Sequence, residues 1–269
     1  MRRSRRTLQH QRGKRMERSS QLSDIIRDCG FPRRKTYPFF RAQPCIFPAV
    51  RKEAYEAELA CYEKIRDSVA FSLNSIKLEV INNARLRGFE SPLAQTLYNS
   101  RMTRKTLDAL MAAMDEHLDI FRRYLRLKGE VLGHKNGIPW YDMFAPMGTN
   151  TKKYTVEEAK AYLLKIFRGF DNDLANMVER AFDEAWIDFY PREGKVGGAF
   201  CANLDGHNQS RVLTNFDGSF SDIVTLAHEL GHAFHNLNIA GHRPLNNDYS
   251  MPVAETASTF NENVIMNAA

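Results

Sequence analysis

Residues 225–235 read TLAHELGHAFH, with His228 and His232 four positions apart and Glu229 directly after the first. On a helix, positions i and i+4 share one face, their Cβ atoms ~5–6 Å apart. The two imidazoles therefore converge on one point. Tetrahedral zinc accepts nitrogen ligands at about 2.0–2.1 Å, so the pair suits a single ion. Glu229 is turned about 100° round the helix from His228. It flanks the ion without ligating it, which is where a general base for water belongs.

Two histidines leave such a site incomplete, because catalysis also needs a third protein ligand and an open position. His235, His242, Asp248, Glu255 and Glu262 follow in the chain. A third histidine ligand in the pattern HExxHxxGxxH is excluded, since position 235 is His235 and position 238 is Asn238. His235 shares the face but lies a turn farther on, so it is expected to be a hydrogen-bonded core histidine or a support behind the ligands. Glu255 is the preferred third ligand. It stands 27 residues after His228, in MPVAETASTFNE, just inside a helix that Pro252 opens. The loop IAGHRPLNN is long enough for that helix to fold back. Glu262, two turns beyond Glu255, either accepts a ring N–H from a ligating histidine or is a solvated helix residue.

Several elements must position these groups. Tyr55, Leu59, Tyr62, Ile65, Val69, Leu73, Ile76 and Val80 form one stripe of a long amphipathic helix ending near Gly88. A second stripe runs from Leu107 through Leu110, Met114, Leu118 and Phe121 to Leu125, stopping near Gly133. Both are expected to be core. Thr155 and Glu158 have capping-box spacing and open a third helix to about Phe170. A fourth is expected from about Asp171 to Phe189, stopped by Pro191. GKVGGAFC and SRVLTNFDG read as two strands of a small sheet. Ser219 and Asp222 then cap the helix that bears the histidines. The chain is thus mainly α, with a small β-sheet beside that helix.

Composition separates the N-terminal arm from the body. Residues 1–41 hold 13 Lys and Arg against three acids, whereas the remainder holds 25 basic and 29 acidic groups. The net charge of +6 therefore belongs to the arm. Residues 1–47 are basic, polar and interrupted by Pro32, Pro38 and Pro44. They are expected to be disordered, for lack of apolar surface to offset ordering entropy. A nucleic-acid-binding role for the arm is an alternative, though no aromatic-basic pattern accompanies the charge. The rest divides into a helical lobe, 48–150, and a zinc-binding catalytic subdomain, 151–269. Cys29, Cys45, Cys61 and Cys201 are scattered, as free thiols of a reducing compartment would be. No apolar run reaches the ~20 residues that span a bilayer.

TLAHELGHAFH followed by PVAETASTFNE resembles oligoendopeptidase F, of the thimet-oligopeptidase group of zinc peptidases. The likeness extends through SVAFSLNSIKLEVINNARLRGFESPLAQTLYNSRM, PWYDMFAPMG and GKVGGAFC, over roughly residues 49–269. It implies a helical, zincin-like peptidase core that cleaves internal bonds of short peptides in the cytoplasm, with one zinc ion. It implies His228, His232 and Glu255 as zinc ligands and Glu229 as the catalytic base. It also implies that Gly197, Gly198, Ala199 and Phe200 hold the substrate backbone by strand addition. The family carries further helices beyond the third ligand, with groups that stabilise the oxyanion. This chain ends 14 residues after Glu255. Weak activity, exposed apolar surface and a missing C-terminal half are therefore expected; an inactive metal-binding protein is the alternative. One oxyanion donor contributes ~10²–10³ in kcat.

Overall fold

The computed structural model describes residues 48–148 and 152–268. The expectations for residues 1–47, Cys29 and Cys45 lie outside the described residues. The chain groups into two units, one holding residues 48–98 and 102–148, the other 99–101 and 152–268. Among the described residues no helix is long and apolar enough to cross a membrane.

In the first unit, α1 spans Pro48–Leu86 and α3 spans Arg104–Val131. Thr103 caps α3 by accepting the N–H of Thr106. Between them lies a helix the periodicity did not reveal, α2, Pro92–Ser100. It begins at a proline whose missing N–H costs nothing there, and the Ser91 hydroxyl accepts the N–H of Ala94 at 3.1 Å.

The two apolar stripes are not the core expected of them. Leu59, Tyr62, Leu73, Ile76 and Val80 on α1 are 41–51% exposed, and Leu110, Met114, Leu118 and Phe121 on α3 are 38–62% exposed. An amphipathic stripe becomes core only where a second layer covers it, and among the described residues none covers these. The buried charged groups of this unit gather where the 3₁₀ turn Trp140–Asp142 meets α1. Arg51 Nε donates to Asp142 Oδ1 at 2.7 Å, and His134 Nε2 lies 2.7 Å from Asp142 Oδ2. Lys128 Nζ donates to the Met143 carbonyl at 2.8 Å. Burial, with the nearby Arg51 charge, pushes the Lys128 ammonium below its usual range.

The second unit carries a continuous apolar core. Thr155 and Glu158 form the capping box of α4, Val156–Phe170, which buries Ala159, Leu163 and Phe167 at steps of four. Asp171 caps α5, Asn172–Asp183. That helix stops six residues short of the expected Phe189. Ala185 takes φ +54° and ends the turn, Trp186 is buried, and Ile187–Asp188 leaves to form β1. Parallel pairing with Val212 and Leu213 of β3 wins over helix continuation for this β-prone run.

The other two strands are β2, Phe200–Leu204, and β3, Gln209–Leu213, in the sheet order β1-β3-β2. The glycine-rich GKVGG segment precedes β2 instead of forming its first half. Gly194 and Gly198 have φ of +77° and +81°, which no strand accommodates. β2 and β3 pair antiparallel from Phe200↔Leu213 to Leu204↔Gln209, and β2 has no strand on its other side among the described residues.

Two helices complete the unit: α6, Phe220–Ile239, and α7, Met251–Ala268. Ser219 and Asp222 form the capping box of α6. Just before it, Gly218 has φ +93° and its carbonyl accepts the Tyr154 N–H at 2.8 Å, which fixes where α6 starts. Ile223, Leu226 and Leu230 of α6 and Ile265 of α7 are fully buried in this core, and Phe234 packs partly buried against it.

Candidate metal centre

The histidines stand on α6 because its apolar residues fix its roll. Ile223, Leu226 and Leu230 face the core, which turns His228 and His232 towards α7. Their rings are 4.9 Å apart between centroids and nearly perpendicular, at 83°. Glu255, in the first turns of α7, brings Oε2 to 3.4 Å from His228 Nε2 and 3.7 Å from His232 Nε2. One ligand atom from each of the three residues lies within 4.8 Å of the others; among the described residues this is the one such cluster of three.

The donor set fits zinc. Two ligand atoms each about 2.0–2.1 Å from a tetrahedral ion stand about 3.3 Å apart, close to the two observed separations. His228 is also held in the right tautomer. Its Nδ1 lies 2.5 Å from Glu262 Oε1. A carboxylate can only accept, so Nδ1 carries the proton and Nε2 keeps its lone pair for a cation. Of the two readings left open for Glu262, the geometry has it touching the histidine. Burial keeps His232 below the usual imidazole range, with the Glu255 charge opposing. That favours the neutral, ligating form.

Glu229 is 5% exposed, and its Oε2 has no hydrogen-bond partner. Burial pushes its carboxyl up to about 7, with His228 opposing and Glu255 reinforcing the rise. Ser221, Val224, Thr225, His228, Glu229 and Glu262 line a cleft of about 360 Å³ beside it. On β2, burial pushes the Cys201 thiol up to about 12, which disfavours its thiolate.

His235 is half-buried on α6. Its Nδ1 is buried without a hydrogen-bond partner, and its ring packs on Tyr249 at 4.5 Å between centroids. One turn beyond His232, it is carried past the reach of the cluster. His242 and Asp248 are exposed in the loop between α6 and α7. Gly197 and Gly198 are exposed, Ala199 is half-buried, and all three precede the β2 edge that Phe200 begins. Asn215 Nδ2 donates to the carbonyls of Val196 and Gly198, at 2.9 Å each, and anchors this approach to the strand.

Sequence reasoning missed the groups that set α7 against α6. A Cβ at Gly231 would stand 2.7 Å from the Ala257 carbonyl oxygen and 2.9 Å from Ser258 Cα. Asn261, buried on α7, donates its Nδ2 to the Ala227 carbonyl at 3.2 Å. Tyr249 donates its hydroxyl to Asn236 Oδ1 at 2.8 Å, tying the returning loop to α6. A signal existed for the first. A glycine inside a strong helix costs about 1 kcal/mol against alanine, so Gly231 between two histidines implied a close neighbour.

A helical body, a small sheet and a His-His-Glu cluster on two crossing helices define a zincin-like peptidase core. The profile of Peptidase family M3 matches residues 43–269. The chain belongs to that family. It is 31% identical over 217 residues to an oligoendopeptidase F homolog of Mycoplasma genitalium, covering 79% of this chain and 36% of that protein. It is likewise 31% identical over 218 residues to the chromosomal oligoendopeptidase F of Lactococcus lactis subsp. cremoris, covering 80% and 36%. The chain thus spans about 36% of the length of these relatives. Among solved structures, PZ peptidase A with inhibitor 2 superposes with TM-score 0.71 at 17% identity, covering 84% of this chain and 41% of that one. Oligoendopeptidase-F from Enterococcus faecium gives 0.52 at 19%, covering 86% and 33%. At such identities the likeness is one of fold.

Proposed function

We propose that this chain is the zinc-binding part of a cytoplasmic metalloendopeptidase that hydrolyses internal bonds of short peptides. His228, His232 and Glu255 hold one zinc ion, and Glu262 orients His228. The observation that carries the reading is the approach of one carboxylate oxygen of Glu255 to both imidazole Nε2 atoms, at 3.4 and 3.7 Å. When bound, the ion supplies Lewis acidity to water and to the scissile carbonyl.

The chain's own groups do the rest. Glu229 Oε2, desolvated and unpartnered, takes a proton from the attacking water and passes it to the leaving amine. A carboxylate within reach of the water can take its proton and return it in turn. The edge of β2 that has no neighbouring strand among the described residues, approached through Gly197, Gly198 and Ala199, pairs with an extended peptide backbone. Glycines there leave room for the incoming strand.

The test loads the full chain with one equivalent of zinc and offers a quenched fluorescent oligopeptide. The expected result is slow cleavage by the native chain and none by Glu229→Gln at equal zinc content. Equal rates would overturn the base assignment. Zinc uptake with no cleavage at all would select an inactive metal-binding protein.

A further inference from the structure

We infer that Ser258 is a positioning residue whose hydroxyl fixes the ligating oxygen of Glu255. The inference rests on the metal-centre reading proposed above. Ser258 is fully buried on α7. Its Oγ lies 2.7 Å from Glu255 Oε2, the same oxygen that approaches both histidines, and 3.1 Å from the Glu255 carbonyl.

A serine has one proton to give, and the carboxylate is the nearer and charged acceptor. The carbonyl needs no help from it, because Thr259 Oγ1 already donates there at 2.6 Å. Thr256 makes the ordinary bond of a helical hydroxyl, to the Pro252 carbonyl at 2.7 Å. Ser258 differs from both in turning to a side chain. Glu255 gains from this. Its side chain is 44% exposed, so packing alone leaves its rotamer free. The hydrogen bond occupies one lone pair of Oε2 and leaves the other for a cation.

The competing account is that position 258 needs only a small residue, because Ser258 Cα would stand 2.9 Å from a Cβ on Gly231. Alanine meets that need fully, so the hydroxyl can be tested apart from the packing. Cysteine also keeps the size but donates weakly.

The experiment measures zinc affinity of the full chain by chelator competition, for the native protein, Ser258→Ala and Ser258→Cys. Metal-free melting temperatures are taken alongside. Both variants should bind zinc about 10–100-fold more weakly, the usual cost of losing a group that orients a ligand, with metal-free melting close to native. If either folded variant matches native affinity within twofold, the positioning role is overturned and Ser258 is only small. If the native chain itself takes up no zinc, the metal-centre reading fails instead.

Discussion

Gly231 and Ala257 touch backbone to backbone across the α6–α7 crossing, so closely that a single added Cβ would stand 2.7 Å from the carbonyl oxygen. This contact sets how deeply α7 sits against α6. It therefore sets whether Glu255 reaches His228 and His232.

Gly231→Ala should lower stability and zinc affinity together. Alanine gains about 1 kcal/mol of helix propensity, but overpacking against backbone costs about 1–3 kcal/mol. The helices can relieve it only by moving apart. We expect a net loss of up to about 2 kcal/mol in denaturant titration, with weaker zinc binding by chelator competition. A more stable variant with native affinity would refute the close-approach argument.

Glu262 should matter through the tautomer of His228. Glu262→Ala removes the acceptor 2.5 Å from Nδ1 and should weaken zinc binding about 10–100-fold. Glu262→Gln keeps an amide oxygen that can still accept, so its loss should be smaller. Equal affinities for all three proteins would make Glu262 a bystander.

The raised carboxyl of Glu229 makes metal-free stability depend on pH. Folded, it holds its proton up to about 7, against an ordinary value of 4.5. The native state thus binds more protons than the unfolded chain across that window. Its contribution is intact below about 4.5 and is lost as pH rises through about 7. Chelator-treated Glu229→Gln should match the native protein at the acid end. At pH 8 it should be more stable by up to ~3 kcal/mol. Parallel pH–stability curves would rule out the desolvated carboxyl.

Asp142 anchors the buried charges of the first unit, receiving Arg51 and His134 at 2.7 Å each. Asp142→Asn removes the buried carboxylate charge that Arg51 and His134 share. Breaking such a pair costs about 3–5 kcal/mol, which thermal unfolding followed by circular dichroism would register. A shift within error would place these charges in water.

The local features were legible because they repeat along the chain. The caps at Thr155 and Ser219, the roll of α6 and the convergence of His228 with His232 need only helix geometry and neighbours within four residues. The end of α5 was not legible. Trp186 and Ile187 follow a helical pattern, but pairing with Val212, 25 residues farther on, offers β1 a better place. The exposed stripes of α1 and α3 show the same limit, because periodicity reveals an apolar face but not what covers it.

By itself, then, the sequence determined two imidazoles on one helical face, a carboxylate beside them and a short choice of third ligands. Only the tertiary structure brought Glu255, the preferred one of these, up to both imidazoles. Glu255 joins the site because Gly231, Ser258 and Asn261 let two helix backbones meet, and that contact links residues nearly 30 positions apart. Spacing along a chain fixes directions within one helix; distance between helices depends on the side chains that are small enough to let them close.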